Sequence, residues 1–181
     1  MKVMPSALPG VLLIEPRVMT DERGFFYESF HAQRFAQLTG VTACFVQDNF
    51  SRSSCNVLRG LHYQVQHVQG KLVQVMAGEI FDVAVDLRQS SPNFGRWVGC
   101  TLSAANRQQH WIPPGFAHGF LVTSASADVL YKTTAYYAPE YERSIRWDDA
   151  AISIPWPLQG QPTLSAKDTR AELLKNADLF L

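Results

Sequence analysis

The sequence predicts an all-β protein, a jelly-roll (cupin-like) barrel with a few short peripheral helices. Short runs rich in branched and aromatic residues recur along the chain, and clusters of turn residues separate them at regular spacing. Helical periodicity is confined to two brief stretches.

In chain order, residues 11–15 (VLLIE) form a short apolar run, and 24–30 (GFFYESF) an aromatic strand after a turn at 21–24. Residues 31–38 place Phe35 and Leu38 at helical spacing, with Gly40 to stop the helix. The stretch 57–72 (VLRGLHYQVQHVQGKL) reads as half-buried β, yet carries an arginine, two histidines and a lysine. Residues 71–76 and 80–87 both alternate around Ala77-Gly78, which predicts a hairpin. In its second strand Phe81, Val83, Val85 and Leu87 share one face, and Asp82, Ala84 and Asp86 the other. Strands are expected at 96–102, 108–112, 119–123 and 128–136, with turn clusters at 90–93, 103–106, 113–115 and 123–126. Residues 154–162 (IPWPLQGQP) should lie extended on the barrel. Residues 169–177 (TRAELLKNA) predict a C-terminal helix, with Asp168 as a candidate N-cap.

With 181 residues, one domain over 1–181 is expected. Formal net charge is zero, so no global field draws the chain to nucleic acid or an anionic membrane. No apolar run approaches the roughly 20 residues that span a bilayer. The N-terminal MKVMPSALPGVLLIEP has neither the apolar core nor the cleavage site of a signal peptide. Cys44, Cys55 and Cys100 are odd in number and widely spaced, which fits free thiols in the cytoplasm.

Histidines in such a barrel raise the possibility of a metal-binding cupin. The second motif of those proteins, P-x-G-x-x-H, is present as Pro113, Gly115 and His118. The first fails. Two residues before His67 stands Val65, and the position of the expected Glu, seven before Gly78, is Lys71. A lysine ammonium has no lone pair for a metal and repels one. No metal is therefore expected. A fixed cation there can instead stabilise an anion.

Seven segments then occur in a known order: DERGFFYESF (21–30), FVQDNFSRSS (45–54), VLRGLHYQ (57–64), QGKLVQVMAGEIFDVAVDLR (69–88), IPPGFAHGF (112–120), YKTTAYYAPEYERSIRWDD (131–149) and LSAKD (164–168). Together they resemble the dTDP-4-dehydrorhamnose 3,5-epimerases, cofactor-independent cupin-fold enzymes. That resemblance implies a dTDP-4-keto-6-deoxyhexose substrate. Its keto group acidifies the C3 and C5 hydrogens, so inversion needs a base, an oxyanion stabiliser and an acid on the far face.

By the same resemblance His62 is the base, a task that an imidazole's ordinary pKa near 6.5 suits. Asp168 orients it, Lys71 stabilises the enolate and Tyr131 donates the proton from the opposite side. Arg23 and Arg59 match diphosphate-binding positions, with donors forked for that geometry. Gln47, Asp48, Asn49, Glu142 and Lys167 match polar binding positions. His118 lies near the keto group or a phosphate, and Tyr137 stacks on thymine. Arg23, Phe26 and Glu28 are expected to serve a neighbouring subunit's site, which implies a homodimer. Relatives that lack the tyrosine or act at one carbon leave a single-position epimerase as the alternative. His67 has no assigned role.

Overall fold

The computed structural model describes residues 1–180. Its strands are β1 (Lys2–Pro5), β2 (Leu12–Glu15), β3 (Val18–Asp21), β4 (Gly24–Tyr27), β5 (Gln47–Ser54), β6 (Leu58–Gln64), β7 (Lys71–Ala77), β8 (Glu79–Asp86), β9 (Trp97–Ser103), β10 (Gln109–Ile112), β11 (Phe116–Val122), β12 (Ser126–Thr133) and β13 (Glu142–Ser144). Helices α1 (Ala32–Thr39) and α2 (Ala166–Thr169) are peripheral. Two sheets hold most strands, in the orders β1-β2-β10-β7-β12-β5 and β13-β6-β11-β8-β9. The all-β jelly-roll expectation holds.

Between the sheets the inward positions run from polar to apolar along single strands. On β7 Lys71 is followed by Val73 and Val75; on β12 Tyr131 is preceded by Val129 and Ala127; on β11 His118 is followed by Phe120 and Val122. The apolar members form one core cluster with Ile80, Ala84 and Leu102. The polar members are left at one end, where they surround a cavity.

Both sheets are also covered outside. Leu58, Leu61, Val83, Val85, Leu87 and Leu121 pack under Ile145, Ile152, Trp156 and Leu174 of the C-terminal part. Trp156 meets Phe81 edge-on at 5.9 Å, so the 154–162 stretch lies on the barrel as expected. On the other sheet, Ile14, Leu72 and Trp111 pack against Phe35 of α1. The apolar face of β8 thus points out to the C-terminal cover, and Asp82 lies in the interior, fully buried.

The predicted hairpin is not formed. β7 pairs with β10 and β12, and β8 with β9 and β11, so the chain changes sheets at Ala77-Gly78. A glycine turn serves a sheet-to-sheet corner as well as a hairpin, and strands apolar on both faces accept distant partners. Gly78 has φ +74°, and a Cβ there would come 1.9 Å from the Ser126 carbonyl oxygen.

The predicted strand 24–30 is shorter, ending at Tyr27, and pairs only with β3 in a separate ribbon. The predicted helix at 169–177 is reduced to a 3-10 turn at Leu174–Asn176. Instead α2 lies earlier, and Glu172 runs beside Ile145, with Arg146 N donating to Glu172 O at 2.8 Å and Glu172 N to Ser144 O at 3.2 Å. Pairing and burial of Leu174 override a modest helix preference there. Ser165, not Asp168, caps α2: its Oγ accepts from Asp168 N at 3.1 Å.

One backbone irregularity shapes the site. Residues three apart on a regular strand face opposite ways, yet Arg59 and His62 both line the cavity, while Leu58 and Leu61 both pack outside. The pairing of β6 with β11 shifts register between His62↔His118 and Arg59↔Phe120. Gly60 lies at this shift with φ +129°, and a Cβ there would stand 2.5 Å from the Gly119 Cα. Gly60→Ala should therefore destabilise the fold by about 3 kcal/mol, read as a lowered thermal midpoint. An unchanged midpoint would mean that the two strands separate freely there.

Candidate active site

The cavity has a volume of about 330 Å³ and takes side chains from both sheets. β5 supplies Gln47 and Asn49, β6 supplies Arg59 and His62, β7 supplies Lys71, β11 supplies His118 and β12 supplies Tyr131. Tyr137, Glu142 and Lys167 also line it.

His62 and Asp168 come together from opposite ends of the chain. Their Nε2 and Oδ1 atoms are 2.5 Å apart. Asp168 is 2% exposed, and its other oxygen accepts from the Ser165 hydroxyl at 2.7 Å. Burial favours the neutral acid, but hydrogen bonds from His62 and Ser165 and the nearby Lys167 outweigh it and hold the carboxyl below its ordinary range. An ionised partner requires a proton on Nε2, which leaves the Nδ1 lone pair to act as base.

Lys71 is buried, and its Nζ lies 3.4 Å from the His62 carbonyl oxygen. Burial pushes its pKa down to about 8 against the pull of Glu142 and Asp82. It is still charged at neutral pH, and weakly enough hydrated to act strongly on a bound oxyanion. Burial raises the Tyr131 hydroxyl above the ordinary phenol range, so it carries its proton at neutral pH. An imidazole paired with a carboxylate, a buried cation and a protonated phenol therefore line one cavity.

Beneath them lies a buried cluster that sequence reading did not find. Asp82 meets His110 Nδ1 at 2.8 Å and His118 Nε2 at 2.7 Å, one carboxylate oxygen to each ring. Burial opposes the charge on Asp82, but the two imidazoles outweigh it. Burial keeps His118 neutral, aided by Lys71 and His110. Both His62 and His118 are held by Nε2 on a carboxylate, but His62 faces the cavity at 24% side-chain exposure and His118 is buried at 7%.

The model of the dTDP-4-dehydrorhamnose 3,5-epimerase family matches residues 5–176. The chain belongs to this family. It is 56% identical over 180 residues to the dTDP-4-dehydrorhamnose 3,5-epimerase of Pseudomonas aeruginosa, covering 99% of each. Among solved structures it is similar to the dTDP-6-deoxy-D-glucose-3,5-epimerase of Legionella pneumophila in complex with dTDP-4-keto-L-rhamnose. That match has TM-score 0.96 and 57% identity, over 98% of this chain and 94% of the other. A more distant likeness is to ChmJ, a 3'-monoepimerase of Streptomyces bikiniensis in complex with dTDP-quinovose. There the TM-score is 0.89 and identity 32%, over 94% of this chain and 87% of the other.

For this family member, ten of the residues expected from sequence share the cavity region: His62, Lys71, Tyr131, Arg59, Gln47, Asn49, His118, Tyr137, Glu142 and Lys167 line it, and Asp168 supports it through His62. Arg59 Nε donates to Ser53 Oγ at 3.0 Å, and among the described residues no carboxylate pairs with its guanidinium. Tyr137 Oη donates to Glu142 at 2.8 Å, and Lys167 Nζ reaches the other Glu142 oxygen at 2.6 Å.

Four expected residues lie elsewhere. Asp48 alternates out of the cavity between Gln47 and Asn49, and pairs with Lys132 at 2.9 Å on the outer face. Arg23, Phe26 and Glu28 belong to or follow the β3–β4 ribbon, outside this chain's own cavity. Arg23 pairs with Asp21 at 2.6 Å, Glu28 with Arg34 at 2.6 Å, and Phe26 is 66% exposed. The cavity includes His118 but not His67, whose ring lies 5.6 Å from Tyr141, so the two histidines considered as metal ligands do not converge on it.

Proposed function

We propose that this cavity epimerises C3 and C5 of dTDP-4-dehydro-6-deoxy-D-glucose to give dTDP-4-dehydro-L-rhamnose, a step in dTDP-L-rhamnose biosynthesis. The observation that carries the reading is the His62–Asp168 pair in one cavity with a charged Lys71 and a protonated Tyr131. His62 takes the proton from the carbon beside the 4-keto group. The electron pair moves into an enolate, whose oxygen Lys71 stabilises. Tyr131 protonates the same carbon from the other face, and repetition at the second carbon completes the change. No oxidation or reduction is involved; each inversion leaves a proton on His62 and takes one from Tyr131, and proton exchange with solvent resets both before the second carbon reacts.

The same reading assigns Arg59 to the diphosphate and Tyr137 to the thymine. It makes the protein a single-domain cytoplasmic enzyme working as a homodimer, with Arg23, Phe26 and Glu28 reaching the partner's cavity. Support for the dimer lies in the ribbon, which pairs with neither sheet and exposes Met19, Phe25 and Phe26.

Proton NMR of the dTDP-4-keto-6-deoxyglucose reaction in deuterium oxide tests the proposal. Deuterium should enter at both C3 and C5. Entry at C3 alone would make the protein a single-position epimerase, like the 3'-monoepimerase ChmJ. In Tyr131→Phe, exchange should persist while net inversion falls about 10²-fold, because the base and cation remain and only the far-face donor is lost. Equal loss of exchange and inversion would remove Tyr131 from that role.

A further inference from the structure

Residues 134–138 follow β12 and bring Tyr137 to the cavity. Three glutamine side chains hold the backbone of residues 135–138. Ala135 O accepts from Gln69 Nε2 at 3.0 Å, and Tyr137 N donates to Gln47 Oε1 at 2.9 Å. Gln64 makes the other two contacts: its Oε1 accepts from Ala138 N at 2.9 Å, and its Nε2 donates to Tyr136 O at 3.3 Å. The same Nε2 also donates to His67 O at 2.8 Å. Gln64 is 2% exposed, so these bonds are made away from water.

Only a neutral primary amide meets all three demands. It offers an acceptor to Ala138 N–H and two donors to the carbonyls of Tyr136 and His67. An ionised glutamate would set a carboxylate against those two carbonyl oxygens. A methionine of similar size would leave the buried N–H and C=O groups unmatched. Gln64 lies two residues after His62 on β6, so both line the cavity. The amide therefore ties the Tyr137 segment to the strand that carries the base.

We propose that Gln64 is a positioning residue: its side-chain amide fixes residues 136–138 so that Tyr137 stands over the cavity, and thereby sets affinity for the nucleotide end of the substrate without joining the proton transfers. This rests on the reading of Tyr137 as the thymine-binding ring. Gln47 and Gln69 hold neighbouring points of the segment, but only Gln64 joins it both to β6 and to the 65–70 loop.

The test compares wild type, Gln64→Met, Tyr137→Ala and the double variant. Three quantities are read: dTDP affinity by titration calorimetry, KM and kcat for the keto sugar, and amide hydrogen exchange at Ala138. Gln64→Met should weaken dTDP binding and raise KM about tenfold, with kcat within about twofold. Exchange at Ala138 should quicken while amides of β7 and β8 stay protected, which separates local release from unfolding. The double variant should bind dTDP no more weakly than Tyr137→Ala, because Gln64 acts through that ring. Additive losses, a fall in kcat at constant KM, or unchanged dTDP affinity would overturn the proposal. If Gln64→Met does not fold, Gln64→Glu carries the affinity and kinetic arms, since it loses the two donors to Tyr136 O and His67 O; it keeps the acceptor for Ala138, so exchange there should stay slow. A wild type that binds dTDP but exchanges no deuterium would sink the epimerase reading, yet the dTDP affinities would still decide the role of Gln64.

Discussion

Replacing His62 with Asn should lower kcat/KM by about 10³- to 10⁴-fold and stop deuterium entry at C3 and C5 together. The joint loss is the informative part. Two carbons on one sugar could be served by two bases, and the cavity contains a second imidazole, His118. The two rings are nonetheless in different states. His62 has its Nε2 on an ionised carboxylate and is partly open to the cavity. His118 is almost wholly buried, is held neutral by that burial, and shares Asp82 with His110. A proton gained by His118 would place a second positive charge near Lys71, which already disfavours it. On the proposed mechanism one base therefore serves both carbons. Exchange at C3 that survives His62→Asn, detected by NMR in deuterium oxide, would show that another group removes that proton.

The residues that meet at the cavity were legible in the sequence because they sit in short, ordered segments. How they meet was less so. Nothing in the spacing of His62 and Asp168 brings them together, and the local reading made Asp168 a helix cap; Ser165 takes that role and leaves the carboxylate free for the imidazole. Alternation on β8 separated Asp82 from the apolar face correctly, but it could not say which face was inside. The barrel is covered by its own C-terminal segment, so the more apolar face of β8 turns outward and a carboxylate is buried within. The expected 71–87 hairpin failed for a related reason: a glycine turn specifies a reversal but not the partner strand. Parity also failed at Gly60, where a backbone shift puts Arg59 and His62 on the same side. Gln64 was visible in LHYQ, but its value lies in contacts with residues 136–138, about seventy positions away.

Lys71→Met should cost about 10³-fold in kcat/KM, the scale seen when a preorganised oxyanion partner is removed. The wild-type pH profile should identify the same group without mutation. In the proposed role Lys71 acts only while charged, and burial brings its pKa down to about 8. Above that pH the charged fraction falls, so kcat/KM should drop toward tenfold per pH unit, with an apparent pKa near 8 in the free enzyme. Tyr131 is pushed above the ordinary phenol range and cannot produce this limb. Lys71→Arg, which stays charged, should be slower overall but keep its rate through pH 9. Stability should move the other way. The unfolded chain holds this proton up to the ordinary lysine value of about 10.5. Burying the charged form therefore costs stability below pH 8, and the cost disappears as pH rises from 8 to 10.5, a gain of roughly 3 kcal/mol at most from this group. Activity that falls while this contribution to stability rises cannot be explained by alkaline unfolding. An alkaline limb that Lys71→Arg leaves in place would assign it to a different group and remove Lys71 from the enolate's oxygen.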